Sequence, residues 1–113
     1  PMVGPDQKLG SVVLEMTQTR LGVTAVTDGN DHLLGIITDG DLRRLIKNNV
    51  PDANSLTAKD IMTANPVVIA PDELAIEALD ILRKRSITQI AVVDNGIYLG
   101  IVHLHDIIKE GLI

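Results

Sequence analysis

A threonine and an aspartate stand three residues apart where a predicted strand meets a predicted helix. Thr38 ends an apolar run, and Asp41 follows it across Gly40. A hydroxyl and a carboxylate at such a turn can converge on a vicinal diol, and charge-assisted hydrogen bonds contribute about 1.5–3 kcal/mol each. The alternative is that Thr38 or Asp39 caps the helix, with Asp41 favourable in its first turn. From the spacing alone, the cap is the preferred interpretation.

A histidine and an aspartate have the same spacing near the end of the chain. His103 takes the place of the threonine and Asp106 that of the aspartate. This histidine either bonds a sugar, phosphate or carboxylate, or is partly buried and bonded to backbone. His105 shares a face with His103 in an extended segment, so a zinc or nickel site with a carboxylate is a further alternative. That spacing is common by chance, and we predict no metal.

Signatures of catalysis are missing from the sequence. Ser11, Ser55 and Ser86 stand in no Gly-x-Ser-x-Gly context, and the chain has no glycine-rich phosphate loop. Its close carboxylate pairs are better explained by helix caps and solvent-facing positions. We therefore expect no catalytic residue and no enzymatic activity in this chain alone.

The two Asp-containing turns belong to an internal repeat. Residues 34–42 return as residues 99–107, and residues 9–20 align with residues 74–85 at the same offset without a gap. A repeat of this length indicates two copies of one supersecondary unit, each too small to bury its apolar face alone. We expect the copies to pair around a cleft, and clefts bind ligands.

Apolar spacing within each copy predicts strand, helix, strand, strand and helix, an α+β unit. Leu9, Val12, Val13 and Met16 form one predicted buried helix stripe. Further helices are predicted to start near residues 42, 57, 75 and 107, and strands to cover 24–27, 33–37, 89–93 and 98–102. The helix near residue 57 would begin with a capping box made by Thr57 and Asp60.

The repeat also sets the predicted organisation of the chain. We assign residues 1–49 to the first motif, 50–55 to a polar linker and 56–113 to the second motif. Pro1 corresponds roughly to Pro66, and the turn at residues 56–63 that precedes Pro66 has no counterpart before Pro1. We expect that the chain was cut from a longer protein.

Composition narrows the choice of partners. The 113 residues carry a net charge of −5, and tyrosine is the only aromatic type besides histidine, which argues against nucleic acid. No apolar run approaches the roughly 20 residues that span a bilayer, so we predict no membrane partner. The chain has no cysteine, which is compatible with a cytoplasmic location.

The motifs resemble those of a tandem CBS-domain pair, the regulatory repeats named after cystathionine β-synthase. The resemblance rests on the doubled Gly-Ile-(Ile/Val)-x-x-x-Asp block, on residues 59–63 and on residues 87–94. It covers essentially the whole chain. It implies two β-α-β-β-α motifs packed sheet to sheet about a pseudo-two-fold axis, and further association into disc-like dimers.

A finer resemblance concerns the C-terminal CBS pair of bacterial arabinose 5-phosphate isomerases. Residues 21–24, 38–44 and 102–106 carry it. In that family a sugar-isomerase (SIS) domain holds the catalytic residues and interconverts ribulose 5-phosphate and arabinose 5-phosphate, on the route to the lipopolysaccharide sugar Kdo. The resemblance implies an isomerase parent with a SIS domain in the same chain, typically tetrameric.

The resemblance also implies a ligand site. Ile37, Thr38 and Asp41 match the family's ribose-binding pattern, which raises ribose binding above capping. Backbone near Val23 and Thr24 would face the base. The half with His103 and Asp106 departs from the pattern. The implied ligand is AMP or ATP, with CMP-Kdo second, and no cofactor is required. The alternative is a dimerisation or tetramerisation element without a ligand.

Overall fold

The computed structural model describes residues 2–19, 22–73, 76–85 and 89–103. The chain divides into two compact units, Pro1–Asn65 and Pro66–Ile113. Each unit combines a small sheet with helices, so the predicted α+β class is confirmed. No helix in the described part of the chain is long and apolar enough to cross a membrane.

The first unit is a four-stranded sheet covered by helices. Its elements are β1 (Met2–Val3), α1 (Leu9–Thr19), β2 (Val23–Thr27), β3 (Leu33–Thr38), α2 (Asp39–Lys47), a 3₁₀ turn (Ala53–Ser55), α3 (Ala58–Ile61) and β4 (Thr63–Ala64). The strand order is β1-β2-β3-β4, with β1 parallel to β2 and the other pairs antiparallel.

Helix α1 packs against this sheet through a narrower stripe than its apolar spacing predicts. Val12 and Met16 are buried in one core cluster with Val26 and Ile37, and Leu9 is partly buried beside them. Val13 is exposed, so its predicted place in the buried stripe is wrong. An apolar residue at helical spacing can lie at the margin of the buried stripe, where the covering surface ends.

A tight loop joins β2 to β3. The Asp28 carboxylate accepts hydrogen bonds from the backbone N–H groups of Asn30 at 2.8 Å and His32 at 3.0 Å. These two bonds stabilise the charged form and lower the pKa of Asp28 below its usual value. The predicted turn between the two strands is therefore confirmed, with an aspartate side chain closing it.

The second unit repeats this plan. Its described elements are β5 (Val68–Ile69), a 3₁₀ turn (Pro71–Glu73), α4 (Ile76–Arg85), β6 (Gln89–Asp94) and β7 (Ile97–His103), with strand order β5-β6-β7. Ile69, Ile90 and Val92 form its buried cluster. The helix predicted near residue 107 lies outside the described residues.

The repeat is visible in the strand pairing. Val3 pairs with Val26 in the first unit and Ile69 with Val92 in the second, and a bulge follows Val26 and Val92 alike. Gly35 pairs with Val26, and Gly100 pairs with Val92. The two copies therefore share backbone register as well as sequence.

The boundary between the two compact units differs from the boundary that the sequence repeat predicts. Helix α3 and strand β4 follow the predicted linker, yet Ala58 and Ile61 are buried in the first unit's core and β4 pairs with β3. The backbone N–H of Ala58 also donates to the carbonyl of Gln7 at 2.8 Å. The motif boundaries at residues 49 and 56 stay a prediction, because motifs are defined by sequence similarity and compact units by contacts between residues.

Gly35 is required where β4 pairs with β3. A Cβ placed there would lie 2.6 Å from the carbonyl oxygen of Thr63 and 2.7 Å from the Met62 sulfur. Real Cβ atoms do not approach other atoms that closely, so a side chain at this position would push β4 away from the sheet.

We predict that Gly35→Ala destabilises the protein by about 1–3 kcal/mol, the usual cost of inserting atoms into a filled site. Gly10→Ala is the matched control, because Gly10 lies in α1 with open space around its Cβ position. It should stabilise by up to about 1 kcal/mol through helix propensity. Urea unfolding of both variants measures the two effects, and equal stabilities would refute the close approach.

Candidate functional site

Thr38 and Asp41 form a capping box at the start of α2. The backbone N–H of Asp41 donates to the Thr38 hydroxyl at 3.3 Å, and the backbone N–H of Thr38 donates to the Asp41 carboxylate at 2.9 Å. The Thr38 hydroxyl also donates to that carboxylate, at 3.2 Å. The capping interpretation is therefore confirmed, with Thr38 rather than Asp39 as the N-cap.

The Asp41 carboxylate does more than cap the helix. Its second oxygen accepts from the Arg44 guanidinium, one turn along α2, and from the Thr63 hydroxyl at 3.3 Å. Asp41 is only 6% exposed. Both carboxylate oxygens are therefore occupied by groups of the chain itself, and a diol could bind here only by exchanging with some of these donors.

A second capping box has the same sequence pattern. Leu56, Thr57 and Asp60 repeat the spacing of Ile37, Thr38 and Asp41. The Asp60 carboxylate accepts from the Thr57 N–H at 2.9 Å and from its hydroxyl at 3.0 Å, and these bonds lower the pKa of Asp60. The predicted cap is confirmed.

The two boxes differ in their surroundings. Asp60 is exposed, whereas Asp41 is buried and contacts an arginine. The pattern of an apolar residue, threonine and aspartate is thus a capping signal in both places. Whether Ile37, Thr38 and Asp41 also bind ribose stays a prediction.

Strand pairing brings the other predicted site residues of the first unit together. Val23 pairs with Thr38, and Thr24 pairs with Ile37. The side chains of Val23, Thr24 and Ile37 are fully buried. These residues and the capping box therefore lie at the same end of the β2–β3 pair, with the Val23–Thr38 pair on one face of the sheet and the Thr24–Ile37 pair on the other.

The Thr24 hydroxyl is a buried polar group at this end of β2. Its cross-strand neighbour Ile37 and its second neighbour Val26 both belong to the core cluster, so the Thr24 side chain faces the same core. Among the described residues its hydroxyl has no hydrogen-bond partner. Its counterpart in β6 by strand register is Ile90, which is apolar and equally buried.

The predicted residues of the second copy are described only in part. His103 ends β7, is half-buried and pairs with Gln89. Asp106 and His105 lie outside the described residues. Within the described ranges, no group of three His, Asp or Glu side chains is placed to hold a metal ion.

Gly22 and Asp39 lie next to the predicted site residues Val23 and Thr38, and neither is among the ligand residues predicted from the sequence. Gly22 has a positive φ of 68°, and its carbonyl accepts from the Asp39 N–H at 3.0 Å. A Cβ on Gly22 would lie 2.6 Å from an Asp39 carboxylate oxygen. A glycine directly before a β-branched run was the available signal, because only glycine adopts this conformation without strain.

In the described part of the chain, three surface cavities border α1 or α2. One of about 340 Å³ includes Gly22 and Asp39, and one of about 530 Å³ is bordered by Gly40, Arg43 and Arg44. The third, about 460 Å³, is an apolar groove. None of these three is lined by Thr38 or Asp41. The predicted cleft edged by those two residues is therefore not among them.

Comparison with known proteins identifies the family. The family model for the CBS domain matches residues 1–48 and 58–112. The chain belongs to the CBS domain family.

Relatives of this CBS pair include sugar isomerases. It is 38% identical over 113 residues to arabinose 5-phosphate isomerase KdsD of Yersinia pestis, covering 100% of this chain and 34% of that protein. It is 45% identical over 111 residues to KdsD of Francisella tularensis, covering 96% and 33%. The CBS pair spans about one third of the length of these relatives.

Solved structures agree on the fold. The CBS pair aligns with the crystal structure of CBSX2 in complex with AMP at a TM-score of 0.87 and 22% identity. The alignment covers 99% of this chain and 87% of that one. This similarity shows that the two chains share the CBS fold.

We predict that Thr24→Val stabilises the CBS pair by about 1 kcal/mol, because it replaces a buried, unpartnered hydroxyl with a methyl group of the same shape. Thr27→Val is the control on the same strand. It removes a hydroxyl that donates to the Met2 sulfur at 3.5 Å, so it should gain less or lose stability. Urea unfolding measures both variants, and a loss of stability in Thr24→Val would show that its hydroxyl has a partner.

Proposed function

We propose that this CBS pair is the regulatory part of a D-arabinose 5-phosphate isomerase. The observation that carries the proposal is the relationship to KdsD over the full 113 residues. The parent would interconvert ribulose 5-phosphate and arabinose 5-phosphate for Kdo and lipopolysaccharide synthesis. Its catalytic residues would lie in a SIS domain outside this chain, and the CBS pair itself would perform no chemistry.

The proposed ligand is an adenosine nucleotide, AMP or ATP, with CMP-Kdo as the second candidate. Its ribose would bind at Thr38 and Asp41, with the base against the backbone of Val23 and Thr24. An AMP complex is known for a protein of the same fold, which supports this ligand class. The chain has no Phe or Trp, so the base would lie between aliphatic side chains.

The contacts of Asp41 suggest how a ribose would enter. The Thr63 hydroxyl is a neutral donor at 3.3 Å, and a ribose hydroxyl can replace it without leaving the carboxylate unpaired. Arg44 is exposed apart from its contact with Asp41, so its guanidinium can turn towards a phosphate. The exchange would conserve the number of hydrogen bonds to the buried carboxylate.

Regulation would come from the arrangement of the two units. In this proposal they pack sheet to sheet about a pseudo-two-fold axis, and the ligand between them favours one arrangement. A coupling free energy of about 1–3 kcal/mol is enough to change the activity of an attached catalytic domain. His103 and Asp106 would form the weaker half-site.

The ligand site can be tested by isothermal titration of the protein with AMP, for which we expect about one site per chain. Asp41→Ala should weaken binding about tenfold or more, because it removes charge-assisted bonds to the ribose. Asp60→Ala is the matched control, since it removes the same type of helix cap at an exposed position with no proposed ligand. Equal losses in both variants would show that Asp41 acts through folding alone.

Thermal shift experiments with AMP, ATP and CMP-Kdo then identify the ligand class. A ligand that binds the native state raises the melting temperature, because it stabilises that state by RT ln(1 + [L]/Kd). A flat response to all three compounds would contradict the sensor function and favour a structural one.

The second candidate function is assembly of the parent enzyme, and the apolar groove on α1 and α2 favours it. Leu9, Val13, Leu42 and Leu45 line this groove with Ile46, which is 77% exposed. A second copy of the same CBS pair is the proposed occupant, because homo-oligomers bury matching apolar patches of this kind. The intact enzyme would then be a tetramer built on CBS dimers.

We predict that Ile46→Lys converts the assembled protein to smaller species, because a charged side chain in a buried apolar interface is costly. Leu14→Lys is the control, since Leu14 is also exposed (58%) but does not line the groove. Sedimentation velocity at several protein concentrations reports the change. An unchanged mass for Ile46→Lys would exclude this groove as the interface.

A further inference from the structure

The hairpin of the second unit turns on an Asn-Gly pair. Asp94 pairs with Ile97, so Asn95 and Gly96 alone join β6 to β7. Both have a positive φ, 52° and 83°, which the central residues of a type I′ turn require. Asp94, Asn95 and Gly96 are exposed. The turn therefore lies at the surface, where water reaches the side-chain amide of Asn95.

An asparagine can react with the backbone nitrogen of the residue that follows it. In that reaction the nitrogen attacks the side-chain amide carbon, Cγ, and a succinimide ring closes. The bond from Cγ to Nδ2 breaks, and Nδ2 leaves as ammonia with the proton that the attacking nitrogen releases. Water then opens the ring at either carbonyl and leaves an aspartate or an isoaspartate, whose main chain runs through Cγ.

The attacking nitrogen is engaged or unable to react at five of the six asparagines in the chain. At four of them the next backbone N–H donates to a carbonyl, at distances of 2.9–3.5 Å, and these are Asn30, Asn48, Asn49 and Asn54. The fifth, Asn65, precedes Pro66, whose nitrogen carries no proton. A nitrogen that donates a hydrogen bond must lose that bond before it can attack.

Asn95 is the exception. Among the described residues, the Gly96 N–H donates no hydrogen bond and the Asn95 side chain makes none. Gly96 also has no side chain to obstruct the approach of its nitrogen to Cγ. A turn at the tip of a hairpin opens locally at little cost, which allows the rotation that brings the nitrogen onto Cγ. Asn95 thus has the least hindered attacking nitrogen of the six.

The corresponding loop of the first unit is protected against this chemistry. It contains the pair Asp28-Gly29, which can close the same ring only by losing water from a neutral carboxyl group. The Asp28 carboxylate accepts hydrogen bonds from the backbone of Asn30 and His32, which hold it in place and lower its pKa. An ionised carboxylate resists attack by a nitrogen, so we expect the first loop to keep its covalent structure.

We propose that Asn95 is a deamidation site, which converts to aspartate and isoaspartate and so changes the second unit with time. The aspartate form adds a negative charge beside Asp94. The isoaspartate form lengthens the main chain of a two-residue turn, and the length of such a turn fixes the register of its strands. Isoaspartate therefore loosens the pairing of β6 with β7. The site lies in the second unit and does not depend on an isomerase parent.

Peptide mapping by mass spectrometry, on protein aged in mildly alkaline buffer, tests the site. We expect Asn95 to deamidate about tenfold faster or more than any other asparagine, because its attacking nitrogen has no hydrogen bond to lose. The other five asparagines are internal controls, so this comparison needs no variant that has to fold. Deamidation of Asn95 that is no faster than that of Asn30 or Asn54 would overturn the proposal.

Two variants separate the effect of the reaction from other effects of ageing. Asn95→Gly removes the reactive amide and keeps a favoured type I′ pair, Gly-Gly. Freshly prepared Asn95→Asp adds the charge without lengthening the main chain. Hydrogen exchange in β6 and β7 should become about tenfold faster or more in the isoaspartate form of aged wild type, and should stay slow in both variants.

Amides of β2 and β3 are the reference in the same molecule, because the first unit has no free Asn-Gly pair. Their exchange should be the same before and after ageing. Equal loosening of β6 and β7 in aged wild type and aged Asn95→Gly would overturn the proposed effect on the second unit. Unchanged exchange in β6 and β7 after Asn95 has converted to isoaspartate would overturn it as well.

Discussion

One buried carboxylate connects the parts of the first unit. The Asp41 carboxylate accepts hydrogen bonds from Thr38 at the end of β3, from Arg44 in α2 and from Thr63 at the start of β4. A buried carboxylate without partners is costly, so a donor can leave Asp41 only when another donor takes its place. The strand-to-helix turn, the direction of α2 and the position of β4 are thereby fixed relative to one another.

The same constraint explains why the motif is ambiguous. A carboxylate that accepts from several donors at a helix N-terminus has the properties of a cap and of a diol-binding site. The box of Thr57 and Asp60 shows that the spacing by itself produces a cap. What distinguishes Asp41 is burial and a neighbouring arginine, and neither can be inferred from a pattern of four residues.

Much of the fold could be predicted from sequence, because it depends on local periodicity and on the repeat. The strands around Asp28 and the helix through Val12 and Met16 are of this kind. Strand β4 could not be predicted, since two exposed residues have no periodicity and their pairing depends on a distant strand. The lack of a partner for the Thr24 hydroxyl among the described residues could not be predicted either, because threonine fits a strand equally well when its hydroxyl is paired.

The repeat conserves geometry more strictly than chemistry. Register, bulge and the glycines at positions 35 and 100 agree between the units, whereas Thr24 corresponds to Ile90 and Thr38 to His103. Strand register tolerates little change, since a slip of one residue turns every side chain to the opposite face of the sheet. The side chains at positions 24 and 38 can differ from those at positions 90 and 103 without changing the strand register. Different ligand preferences in the two halves are therefore compatible with one shared architecture, and the half with Thr38 is the better candidate for a ribose.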